Sequence, residues 1–289
     1  MDFAHAHLIT AMVTPFNAQA AVDYDRLEKL INHLLAHHTQ GILVGGTTGE
    51  GPTLSTAEKL TLYTKTAAIV AGRVPIIANV GSNDTRATVK FTQQVSQIAG
   101  IDAALVVVPP YNKPDQAGMR AHFTTIADQG GLPIMIYNIP GRVVVKMEVP
   151  TVLALSQNPN IIGIKQCGDD GELAAIISGV PADFLVYTGE DAQTLTTRIL
   201  GGQGVISVAS HIFGDQMAAM ETALQAGDWA KAGQRQRQLM PKMAALFSAP
   251  SPAPVKAALN ASGVLVGSPR LPILPLTSAQ RFALLAKLN

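Results

Sequence analysis

Eight short apolar runs, each followed by a stretch of helical periodicity, constrain this chain more than any other feature. The runs fall at residues 8–13, 41–45, 75–79, 103–108, 133–137, 161–165, 184–187 and 204–207. Each is rich in Val, Ile and Leu with little alternation, the pattern of parallel strands buried on both faces. Helical periodicity fills the intervals at 23–38, 56–71, 84–99, 115–129, 148–157, 171–179 and 191–200. Start signals reinforce several of these helices. Ser55-Thr56-Ala57-Glu58 sets a hydroxyl three residues before a carboxylate, a capping-box pattern. Asn83-Asp84 and Pro114-Asp115 open the next two. Eight β-α repeats predict an α/β chain folded as a closed (β/α)8 TIM barrel. An open doubly wound sheet is the competing arrangement. No reversal signal interrupts the repeats and no GxGxxG follows the first run, and both facts favour closure.

Strand signals stop after Ser207. The remainder reads as helices at 215–226, 229–247, 254–261 and 278–288, with Pro250, Pro252 and Pro254 breaking the chain between them. This predicts a C-terminal helical extension packed on the barrel. The expected division is a barrel over residues 1–225 and a helical domain over 226–289.

Composition narrows the functional classes. A chain of 289 residues with 47% hydrophobic and 14% charged residues buries a large core and is not disordered. Its net charge is +1 and no Lys/Arg run stands out, so nothing supports a nucleic-acid partner. The single cysteine, Cys167, excludes an intrachain disulfide and a Cys-based zinc site. The seven histidines show no HExxH spacing; His33, His37 and His38 are expected on the solvent face of a helix. No signal peptide is evident, and no apolar run approaches the ~18 residues of a membrane span. A cytoplasmic protein with no membrane association is expected.

In such a barrel the chemistry gathers at the C-terminal ends of the strands. The sixth run, Ile161-Ile162-Gly163-Ile164-Lys165, ends in a lone ammonium. An ordinary lysine, with a pKa of about 10.4, is a free amine in about one molecule in a few thousand near neutrality. Burial that lowers the pKa to about 7 raises that fraction roughly a thousandfold. A free amine in a dry pocket is what Schiff-base chemistry requires. The alternative is a strand-end lysine snorkelling to water.

Neighbouring strand ends supply the complement. Gly45-Gly46-Thr47-Thr48-Gly49-Glu50-Gly51 can turn its amides and hydroxyls on a carboxylate or phosphate, or be a plain β-α turn. Tyr111 sits in Pro109-Pro110-Tyr111-Asn112-Lys113-Pro114, a stiff loop in which an aromatic could simply pack. Tyr137 ends the fifth run and can move a proton; Arg142, five residues on, can grip a carboxylate or can be an exposed loop arginine. Amine, anion cradle, two phenols and a guanidinium together suit a small keto acid. Cys167 has no histidine partner in view and reads as a structural thiol.

In this order the motifs resemble the dihydrodipicolinate synthase and N-acetylneuraminate lyase superfamily of Schiff-base aldolases, over essentially the whole chain. Gly46-Thr47-Thr48-Gly49-Glu50, Pro110-Tyr111-Asn112-Lys113-Pro114, Tyr137-Asn138-Ile139-Pro140-Gly141-Arg142, Gly163-Ile164-Lys165, Gly204-Val205-Ile206-Ser207-Val208 and Pro252-Ala253-Pro254-Val255-Lys256 carry the likeness. The synthase branch matches better. Neuraminate lyases usually carry Ser at the Thr47 position and lack an equivalent of Arg142.

The resemblance implies that pyruvate condenses with Lys165 and that the resulting enamine attacks aspartate semialdehyde. It implies a proton relay of Tyr137, Thr48 and Tyr111, with Tyr111 donated across a subunit interface in a dimer or tetramer. It further implies that Thr47 and Thr48 hold the pyruvate carboxylate with their backbone amides, that Arg142 receives the second substrate, and that the Gly189 and Ile206 backbones line the pocket. No cofactor or metal is implied. A sister aldolase acting on a sugar acid or hydroxy-keto acid, and a non-catalytic anion-binding barrel, are the alternatives.

Two departures stand out. Where the family usually continues Arg-Thr-Gly, this chain has Arg142-Val143-Val144, which bears on the aldehyde partner. At positions that bind inhibitory lysine in regulated members, Lys59, Ala87 and Pro110 replace the usual His, Glu and Tyr. An added cation and lost acceptors predict weak or absent feedback by lysine.

Overall fold

The computed structural model describes residue 3 and residues 5–288. Eight strands form a closed barrel in sequence order: β1 (Leu8–Ala11), β2 (Gly41–Val44), β3 (Ile76–Asn79), β4 (Ala103–Val107), β5 (Ile134–Asn138), β6 (Ile161–Gln166), β7 (Leu185–Thr188) and β8 (Gly204–Ser207). Helices α1 (Tyr24–Ala36), α2 (Thr56–Val70), α3 (Thr85–Val95), α4 (Gln116–Gln129), α6 (Val149–Leu155), α7 (Asp170–Gly179) and α8 (Thr194–Ile199) connect successive strands. A one-turn helix, α5 (Pro140–Val143), precedes α6. The C-terminal helices are α9 (Ser210–Gln225), α10 (Trp229–Ala245), α11 (Ala253–Ala261) and α12 (Ser278–Leu288). All eight predicted strands and the closed barrel are therefore present.

The caps are the ones the sequence signals. Ser55 and Glu58 form a reciprocal capping box on α2. The Asp84 and Asp115 side chains accept from the Ala87 and Gly118 amides at the starts of α3 and α4. Strand interiors are dry: Ile42, Ile77, Leu105, Ile136 and Ile164 are fully buried. Each such side chain contributes about 1.5–3 kcal/mol of burial.

The chain forms two compact units. One comprises the chain up to His7 with Pro75–Ile206. Within it β4, β5, β6 and β7 pair in parallel, with Tyr137 of β5 opposite Lys165 of β6. The other comprises Leu8–Val74 and the chain from Ser207 on. Here β1 pairs with β2, and α9 packs on β1, α1, α10 and α11.

Several expectations need correction. The helix expected from 215 begins at Ser210, whose amide is taken by the Ser207 hydroxyl, and it kinks at Phe213. Gly214 lies inside this helix, where a Cβ would strike the His37 carbonyl. The helix expected over 191–200 opens as a 3-10 turn, Asp191–Gln193. The α3 helix stops at Val95, four residues early. Neither α5 nor the 3-10 turn Gly51–Thr53 was expected, because one turn is too short to show a period. His33 is half-buried and bonded to the His211 carbonyl, while His37 and His38 lie past the end of α1.

Candidate active site

Lys165 is 6% exposed although it is the penultimate residue of β6, which runs one residue further than the sequence suggests. Its Nζ lies 4.6 Å from the centre of the Tyr137 ring, as the β5–β6 register requires. Burial lowers its pKa, because the charged form loses its water. The Arg142 guanidinium lowers it further, while Cys167, Asp191 and Glu190 pull the other way. This lysine does not snorkel.

The backbone beyond β7 fits against this side chain. Gly189 donates its amide to the Gln166 carbonyl at 2.8 Å. A Cβ at Gly189 would sit 2.7 Å from Lys165 Cε and would also strike Cys167 Sγ. Only glycine leaves Lys165 its path. Burial pushes the Cys167 thiol up to about 12, so it stays a protonated packing group, as the sequence suggests. Ile206 is fully buried on β8.

Arg142 is exposed on α5. The segment that carries it is tied down by residues that sequence reasoning missed. Buried Asn138 accepts from the Met147 amide at 3.1 Å and donates to the Met147 carbonyl at 3.0 Å. It also donates to Gln166 Oε1, and Gln166 donates onward to Glu172, which pairs with Lys146. Asn138 directly follows Tyr137 and Gln166 directly follows Lys165. The available signal was an amide directly after each of these two residues. Val144 ends α5 at φ 74° and is 71% exposed, an unfavourable place for a β-branched residue.

Tyr111 stands 89% exposed in this chain and is not packed beside Lys165. Its φ is +72° and that of Lys113 is +51°. Between them the Asn112 side chain donates to the Asn83 backbone carbonyl at 2.8 Å and accepts from the Asn83 side-chain amide at 3.1 Å, which pins the loop.

In the other unit, Thr47 is half-buried and Thr48 is buried in the turn after β2. The Glu50 amide donates to the Thr47 carbonyl and the Gly51 amide to the Gly46 carbonyl. Gly45 takes φ +67° beneath Tyr63, where a Cβ would meet the phenol. Lys59 on α2 is half-buried, and burial lowers its pKa. Among the described residues no cluster of His, Cys, Asp or Glu forms a metal site, and no helix is long and apolar enough to cross a membrane.

A closed (β/α)8 barrel with a buried, pKa-lowered lysine near the end of its sixth strand, beside a tyrosine near the end of its fifth, is built as an imine-forming barrel enzyme. Comparison with known proteins makes this specific. The chain belongs to the dihydrodipicolinate synthetase family, whose model matches residues 4–289. It is 57% identical to a protein of Pediococcus pentosaceus, over 98% of this chain and 94% of the relative. It is 54% identical to one of Ligilactobacillus salivarius over the full length of both. Both relatives are named 4-hydroxy-tetrahydrodipicolinate synthase. The crystal structure of a dihydrodipicolinate synthase from Bacillus anthracis superposes with a TM-score of 0.97 at 45% identity, covering 100% of this chain and 98% of that one.

Proposed function

We propose that this chain is a Schiff-base lyase that condenses pyruvate with L-aspartate 4-semialdehyde to give 4-hydroxy-tetrahydrodipicolinate, on the route to diaminopimelate and lysine. The Lys165 amine adds to the keto carbon of pyruvate and water leaves, forming an imine. Loss of a methyl proton gives the enamine, whose carbon attacks the aldehyde. The amino group of the second substrate then adds to the imine carbon, closes the ring and expels the Lys165 amine. The observation that carries this reading is a buried amine of lowered pKa held over a phenol ring.

The remaining roles follow the resemblance. Tyr137, Thr48 and Tyr111 relay protons, and Thr47 and Thr48 hold the pyruvate carboxylate. Arg142 receives the carboxylate of the aldehyde substrate, and the Gly189 and Ile206 backbones line the pyruvate pocket. A fully offered Tyr111 on a pinned, left-handed loop supports its insertion into a second copy of the chain, in a dimer or a tetramer. A cytoplasmic location and the division at residue 225 belong to the same proposal.

The names of the curated relatives favour aspartate semialdehyde over a sugar-derived aldehyde. The test is turnover with pyruvate plus aspartate semialdehyde against pyruvate plus sugar aldehydes. Preference for a sugar aldehyde would replace this reading with that of a sister aldolase.

A further inference from the structure

A second buried lysine lies outside the chemistry just described. Lys256 of α11 is 1% exposed, and its Nζ lies 2.5 Å from Oε1 of Glu50, itself 3% exposed. The contact is a close ion pair. Glu50 Oε2 accepts the Arg270 amide at 2.7 Å. Lys256 Nζ also donates to the Ser268 carbonyl, and it sits 4.2 Å from the centre of the Phe16 ring. The Arg270 guanidinium, paired with Glu58, lies 4.3 Å from the same ring. Burial brings the Lys256 pKa down to about 8, although Glu50 opposes the change.

Buried ion pairs are weak stabilisers, and apolar replacements often serve stability as well or better. Their use lies in fixing geometry, and here the fixed carboxylate belongs to the turn that carries Thr47 and Thr48. Glu50 adopts φ +56°, an unfavourable conformation for a side chain with a Cβ. Its amide holds the Thr47 carbonyl. The Gly49 carbonyl is held in turn by the Thr14 hydroxyl at 2.6 Å. Released from Lys256, the turn has reason to relax toward an ordinary backbone conformation.

We propose that Lys256 is a positioning residue: its ion pair with Glu50 holds the Thr47–Thr48 turn in the shape that receives the keto-acid carboxylate. The C-terminal helices thereby set pyruvate affinity without touching the substrate. This inference rests on the role proposed above for Thr47 and Thr48.

The experiment compares E50Q, K256M, E50Q/K256M and T48A, each checked for folding by circular dichroism and thermal melting. Both single variants of the pair are expected to raise the pyruvate KM about tenfold or more, since small misplacements of binding groups are costly. The kcat at saturating pyruvate and the KM for the aldehyde should stay within about twofold, the split that separates positioning from general destabilisation. The double variant, which strands neither charge, should raise the pyruvate KM by less than the product of the single effects. If K256M does not fold, E50Q and the double variant carry the test. A raised KM in T48A with an unchanged KM in E50Q and in the double variant overturns this inference alone. An unchanged KM in all four variants, T48A included, overturns the reading of the turn as well.

Discussion

Lys165 and Lys256 are both buried, and burial lowers the pKa of both. They differ in what faces the amine. Lys256 meets a carboxylate, a carbonyl and a ring, and its charge is engaged. Lys165 faces the Tyr137 ring, next to the last residue of β6. Burial alone therefore does not make a lysine a nucleophile. A lysine held by a carboxylate is a structural tie, while one held over a phenol is available to a carbonyl compound.

Replacing each lysine should separate the two behaviours most sharply. Lys165→Ala is expected to cut turnover by on the order of 10³-fold or more, since no other amine is placed to form the imine. Its melting temperature should hold or rise, because an expensive buried amine is gone. Lys256→Met should do the opposite to stability, losing about 3–5 kcal/mol by stranding Glu50. Steady-state rates and thermal melts on both variants settle the contrast; equal losses of turnover and of stability in both would erase it.

Tyr137→Phe keeps the ring over Lys165 but removes the hydroxyl. Turnover should fall about 10²–10⁴-fold, with the protein still labelled by pyruvate. Gly189→Ala places a methyl group against Lys165 Cε and should slow imine formation by about 10²-fold while leaving the Glu50–Lys256 tie intact. Arg142→Ala should raise the KM of the aldehyde substrate by about tenfold to a hundredfold, the worth of a charged hydrogen bond, with little change in imine formation. An equal fall in imine formation would remove Arg142 from its assigned role. The smallest effect concerns lysine, because Lys59 puts a cation where a cationic effector would bind. Inhibition curves should show no half-inhibition below the millimolar range.

The barrel was legible because its signal is local and repeated. Eight Val/Ile/Leu runs and their capped helices each declare themselves within a dozen residues. Of the candidate site, the strand-end positions of Tyr137 and Lys165 were legible, and the structure sets the two side by side. What stayed hidden is of two kinds. One is the short turn: α5 and the 3-10 turn after Glu50 are each too brief to show a period. The other is the distant pair. Glu50 and Lys256 could be read only as members of two separate motifs, and nothing in either names its partner. Asn138 and Gln166 likewise look like ordinary strand ends until their side chains are seen to meet.

The most direct test is reductive trapping: incubate the protein with pyruvate, reduce with borohydride, digest, and locate the modified residue by mass spectrometry. The account predicts a single stable carboxyethyl adduct on Lys165, formed with a pH midpoint below that of an ordinary lysine because burial lowers its pKa, and no adduct on Lys256. No adduct, or one on another lysine, would contradict it.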